Sequence, residues 1–235
     1  MKNISKLFAL VAFVLSLTAS AVFAEIKVGL TIGEGVWAAT GEEVVDNNTT
    51  DSQKTGSKSG TKDRTAHGAF AHSVQSIFAE YDHGPVSIGI QLNNDLETPE
   101  ATNIQQADAS GSTQNTNTVK ATFAGEKMLY AIVDVPLPID LGLYLKAAIS
   151  QVDVKTGEQM ATGAAYPDTK TDGFHIGLGF EREVGGLGVR VEVLGSEYDN
   201  VSATSTNAAT DETAKVVKIS DMIGARATIS LLKAF

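Results

Sequence analysis

Ile223-Gly224-Ala225-Arg226-Ala227-Thr228-Ile229-Ser230-Leu231-Leu232-Lys233-Ala234-Phe235 closes the sequence. Ile223, Ala225, Ala227, Ile229, Leu231 and Phe235 share one parity of a two-residue repeat, and Gly224, Arg226, Thr228 and Ser230 take the other. Successive side chains of a strand point to opposite faces, so the stretch presents one apolar and one polar face.

Seven earlier segments carry strand patterns: 26 to 38, 68 to 81, 86 to 93, 119 to 135, 141 to 153, 173 to 182 and 187 to 198. With the last, taken as 216 to 235, they make eight. The polar segments between them alternate in size. Four are long and rich in Thr, Ser, Asn, Asp and Gly, at 40 to 66, 94 to 118, 154 to 172 and 199 to 214. Three are short and hold turn formers, Asp82-His83-Gly84-Pro85, Pro136 to Asp140 and Glu183 to Leu187. Backbone polar groups in lipid must be paired within the protein, so strands cross a membrane only as a closed barrel. The expectation is an all-β chain: an eight-stranded antiparallel up-and-down transmembrane barrel with short periplasmic turns and four long external loops. A soluble sandwich also alternates, but it does not need its long loops all on one side.

The parity assigns each face. Ile26, Val28, Leu30, Ile32 and Val36 point to lipid in the first strand; in the second either Gln75, Ile77, Ala79 and Tyr81 or Val74, Ser76, Phe78 and Glu80 do, and the first set is favoured because it turns Glu80 inward. Leu129, Ala131, Val133 and Val135 do so in the fourth, which turns Asp134 inward. The inward set then contains Lys27, Lys146, Arg190 and Arg226 against Glu80, Asp134, Glu181 and Glu192. Eight strands enclose a lumen that side chains fill, so this balanced set reads as a paired plug. The inward glycines leave room for water, which keeps a narrow pore as the alternative. Phe123 and Phe174 are expected at the outer rim, and Tyr81, Phe180 and Phe235 at the periplasmic rim.

This pattern resembles the small eight-stranded outer-membrane barrels of the OmpA-barrel, OmpX and opacity-protein type. The likeness rests on strand number, loop asymmetry and the terminal segment, and it spans residues 25 to 235. It implies an integral, porin-like location in the outer membrane of a Gram-negative envelope. It also implies an assembly signal at Ile229, Leu231 and Phe235, read by the barrel-insertion machinery. The roles implied are envelope stability, adhesion or a receptor surface. A small porin passing ions or small solutes is the second reading, and a lipid-modifying barrel enzyme the third. Expected partners are outer-membrane lipids and lipopolysaccharide, with an extracellular ligand or a phage at the loops; the chain is expected to be a monomer.

The beginning of the sequence agrees with export. Lys2 and Lys6, the apolar run Leu7 to Leu17 and the small residues up to Ala24 read as a signal peptide removed after residue 24. Residues 25 to 235 then form one barrel domain with 16 basic against 28 acidic residues, a net charge of −12. Such a surface repels nucleic acid. Cysteine is absent, which removes disulfides and thiolate metal sites.

Little in the sequence reads as chemistry. His72 and Ser73 are adjacent and fall on opposite faces of a strand, which separates a nucleophile from its base. His67 has Asp63 and Ser73 nearby with no spacing rule to join them, and His175 is placed in the lumen. Asp95, Glu97, Glu100 and Asp108 make the second long loop acidic, but their spacing matches no calcium loop. Asn48-Thr49-Thr50 and Asn200-Val201-Ser202 are read as loop composition. No catalytic residue, cofactor or metal ligand is assigned.

Overall fold

The alternating segments become strands in the computed structural model, which describes residues 25–45, 64–98, 101–107, 114–137, 141–159, 166–204 and 215–235. The export segment 1–24, Asp63, Asn48-Thr49-Thr50, Glu100, Asp108 and other parts of the four polar segments lie outside the described residues. Within them the strands are β1 (Glu25–Val45), β2 (Arg64–His83), β3 (Val86–Asn93), β4 (Leu96–Glu97), β5 (Ala101–Ala107) and β6 (Gln114–Asp134). They continue with β7 (Leu143–Gln159), β8 (Thr169–Val184), β9 (Leu187–Tyr198), β10 (Val201–Thr204) and β11 (Lys215–Ala234).

All pairs are antiparallel, in the order β1, β2, β3, β6, β7, β8, β9, β11, and β11 pairs back onto β1. β4 and β5 extend the wall begun by β3, because both pair with β6. β10 likewise extends β9 along β11. The result is a closed barrel of eight walls. Its seam runs from Lys27 opposite Ala234 to Val45 opposite Lys215. Beyond Lys27 the backbones of Ile26 and Phe235 exchange two further hydrogen bonds, of 3.0 and 3.3 Å. Closure leaves the spanning sheet no edge.

The strands are longer than the alternation indicated. β1 has 21 residues and β11 has 20, while about ten tilted residues cross the apolar part of a membrane. Much of what reads as loop in 40 to 66, 94 to 118, 154 to 172 and 199 to 214 is therefore strand. Outside lipid both faces meet water, so the hydrophobic alternation fades while the ladder continues.

Two irregularities change the parity. Opposite β7, the register of β6 shifts between Ala124 and Lys127, so Gly125 and Glu126 face the single residue Val152. Gly125 takes a positive φ of 61°, the left-handed conformation that glycine reaches without a Cβ penalty. One extra residue reverses the faces above the bulge. Phe123, expected at the outer rim, is buried inside the barrel instead. On β11 a second shift places Asp221 and Met222 opposite Ala39, with Asp221 at a φ of 54°.

Candidate functional site in the barrel lumen

Burial is reversed relative to a water-soluble protein. Ile32 is 66% exposed, Leu30 63%, Ile176 60% and Ile229 55%, all on the outer face. Thr31, Gln91, Lys146, His175, Arg190, Arg226 and Ser230 are buried inside. An apolar exterior all round a closed wall, over a polar interior, is stable only where lipid replaces water. The chain is an eight-stranded barrel of the outer-membrane type. Its apolar outer face is built to sit in lipid as an integral membrane barrel.

At the periplasmic end of the lumen, Arg190 is the centre of a charged network. Its Nη1 and Nη2 donate to the two oxygens of Glu80 at 2.9 and 3.0 Å. Its Nε and Nη2 also donate to Glu181 at 3.0 and 2.6 Å. Lys27 reaches Glu181 at 3.0 Å and Asp82 at 2.5 Å, and Tyr130 donates to Glu80 at 3.0 Å. The ladder explains the neighbours: Lys27 stands opposite Glu80, and Glu181 opposite Arg190. Joining these two pairs across the lumen needs the closed barrel.

A second network lies toward the external end. Lys146 pairs with Glu192 at 2.9 Å and donates to Gln91 at 3.2 Å. Gln91 donates to Asn93, and Asn93 donates to Glu126 at 2.5 Å. Glu126 also accepts from Ser150 at 2.8 Å and Tyr198 at 2.9 Å, and Arg226 lies 3.5 Å away. With His175 Nε2 at 3.4 Å, five polar neighbours compensate this buried carboxylate, as its desolvation requires.

Aromatic rings separate the two networks. Lys146 lies 4.2 Å from the centre of the Tyr130 ring, and Arg190 lies 5.2 Å from Phe78 and 5.4 Å from Tyr144. Tyr130 covers Gly89 and Tyr144 covers Gly179, so a Cβ at either glycine would collide with a ring. The inward glycines that read as room for water are seats for these rings. Above Glu126 an apolar cluster of Trp37, Val74, Phe123, Val152, Tyr198 and Met222 fills the barrel, and Phe70 stacks on Trp37 at 6.1 Å.

Seven of the eight charges expected in the lumen, Lys27, Glu80, Lys146, Glu181, Arg190, Glu192 and Arg226, lie within these networks. Asp134 does not: it is exposed at the periplasmic mouth, where β6 ends. Arg226 turns to Glu126, which the parity had not singled out. The signal for it was Gly125, since a lone glycine within a strand pattern marks a bulge. Ile229, Leu231 and Phe235 face outward, and Phe235 is 79% exposed.

The fold assembles one grouping that resembles a nucleophile site. His175 Nε2 lies 2.8 Å from Ser150 Oγ, its Nδ1 lies 2.8 Å from Ser196 Oγ, and Glu126 adjoins Ser150. The carboxylate meets the serine and not the far nitrogen of the histidine, so it does not orient a base. His175 is 0% exposed, and the neighbouring cavity holds about 20 Å³, room for one water. No three His, Asp or Glu side chains among the described residues converge on a metal-sized site.

No model of a known protein family matches the chain, and no curated protein matches it. Solved structures with a similar course include Neisserial surface protein A, at 7% identity and a TM-score of 0.42, over 91% of this chain and 100% of that one. Outer membrane protein OprG from Pseudomonas aeruginosa has 9% identity and a TM-score of 0.49, over 87% and 95%. Outer membrane protease OmpT from Escherichia coli has 8% identity and a TM-score of 0.44, over 93% and 100%. Likeness at this level does not extend to activity.

Proposed function

We propose that this protein is a closed barrel whose work is done at the cell surface: a structural scaffold that displays its long strand ends and external segments for contact with a ligand or a neighbouring cell. The observation that carries this reading is the filled lumen. Two charged networks, the aromatic layer between them and the apolar cluster above occupy the lumen along its length, which supports a closed barrel. The length of the walls beyond the membrane supports the same reading, because it carries a rigid frame past the lipid surface.

Single-channel recording in planar bilayers tests it. The expected result is a quiet membrane at protein densities that insert many barrels. Reproducible, stable conductance steps would overturn it in favour of a small porin. That second reading draws on the cavity at the periplasmic end, whose inner wall includes Glu80 and Arg190. The Ser150, His175 and Glu126 grouping does not support a lipid-modifying enzyme, because it is sealed from lipid.

A further inference from the structure

The periplasmic mouth holds a cavity of about 370 Å³, within the size range of small-molecule sites. Its charges are unequal. Five carboxylates line it, those of Glu80, Asp82, Asp134, Glu181 and Glu183, against the two cations Lys27 and Arg190. Glu80, Glu181 and Asp82 are occupied by those cations. Asp134 and Glu183 are exposed at the rim and stand outside the ion pairs that join Lys27 and Arg190 to Asp82, Glu80 and Glu181. Asp134 shares the mouth with Asp82, Glu181 and Glu80 as well as Lys27, so carboxylates outnumber cations there.

The other walls are greasy. Ile132, Leu137, Leu141 and Leu143 line the same cavity. A ligand that fits carries more than one positive charge, with apolar surface between the charges to meet the greasy walls. A divalent ion does not match, because the carboxylates do not converge. An extended organic cation does, since each ammonium group meets a carboxylate while its methylenes cover leucine and isoleucine.

We propose that this vestibule binds a linear aliphatic polyamine from the periplasmic side, with Asp134 and Glu183 as the carboxylates that meet its ammonium groups. This site is separate from the surface role above, and neither depends on the other. Both acids lie at the rim, outside the paired network that fills the barrel, so replacing them leaves that network intact.

The full chain is refolded in a zwitterionic detergent and titrated with spermidine by calorimetry, with the boiled and unboiled gel mobilities recorded for every variant. Saturable one-to-one binding is expected, weakened at least tenfold in the double variant Asp134→Asn/Glu183→Gln and retained against magnesium chloride at equal ionic strength. Absence of saturable binding would overturn the proposal. So would equal affinity in the double variant, or displacement by magnesium to the same extent as by putrescine, which would reduce the site to diffuse negative charge. A conductance result has no bearing on these outcomes.

Discussion

Arg190 on β9 grips Glu80 on β2 through two parallel hydrogen bonds of 2.9 and 3.0 Å, across 110 positions of sequence. Both side chains are buried, Arg190 to 2% exposure. Removing one partner of a buried pair leaves an uncompensated charge at a cost of about 3 to 5 kcal/mol. Glu80→Ala is expected at the lower end, because Glu181 still holds Arg190. Glu80→Ala/Arg190→Ala should cost less than the two single changes together. Urea unfolding in lipid vesicles, followed through Trp37 as the single tryptophan, measures this. Strict additivity would show that the two groups are not coupled.

Glu126 depends on the bulge that turns it inward. Gly125→Ala forces a side chain into the left-handed region and should cost about 1 to 2 kcal/mol. Deleting Gly125 is more severe, because it restores the simple alternation and swings Phe123 toward lipid. The apolar cluster around Trp37 then loses a member. A red-shifted Trp37 emission in the deletion, with a near-native spectrum in Gly125→Ala, is the expected pair of results.

Tyr130 lies over Gly89, and its hydroxyl reaches Glu80. Tyr130→Phe keeps the ring and removes a hydrogen bond to a charged group, for about 1.5 to 3 kcal/mol. Gly89→Val pushes against the ring and is expected to cost about 1 to 3 kcal/mol by overpacking. Unfolding midpoints of the two variants decide whether the glycine is a seat or an empty space; an unchanged midpoint in Gly89→Val would mean the space is empty.

Leu30 is near the middle of the apolar belt, while Lys233 lies at the periplasmic rim and donates to the Gly186 carbonyl at 2.9 Å. Leu30→Arg should cost about 2 to 4 kcal/mol, and Lys233→Glu about 0 to 1 kcal/mol. Equal costs for the two substitutions in folding titrations would contradict the placement of the belt.

Phe235 has two separable attributes. Its backbone exchanges hydrogen bonds with Ile26, and its ring faces outward. Phe235→Ala keeps the first and loses the second, while deletion loses both. If the ring is an insertion signal, both variants should insert poorly in cells, and Phe235→Ala should still refold into detergent at the normal rate. Insertion of Phe235→Ala at the normal level would leave the closing hydrogen bonds as the residue's role.

Strand existence and facing were legible because they follow from local geometry. A two-residue repeat puts Ile26, Val28 and Leu30 on one side whatever surrounds them, and the structure keeps them outside. Lys27 and Glu80 were legible as inward residues for the same reason. The reading lapsed where the repeat carried no information. Beyond the membrane, Val45 and Lys215 pair at the end of the seam, yet nothing in a polar segment distinguishes a long ladder from a loop. It also lapsed at Gly125, where one residue out of phase carried Phe123 from lipid into the lumen.

The sequence by itself determined a chain of eight amphipathic crossings with charged residues held away from lipid, because alternation and side-chain hydropathy act one strand at a time. Only the tertiary structure decided which charges meet. Lys146 finds Glu192 across an intervening strand, Arg190 joins Glu80 to Glu181, and Arg226 turns to Glu126. Those choices depend on closure, register and one bulge, which set distances across the lumen between residues far apart in sequence. The same closure filled the space over the inward glycines with rings and left a cavity of about 370 Å³ at the periplasmic mouth.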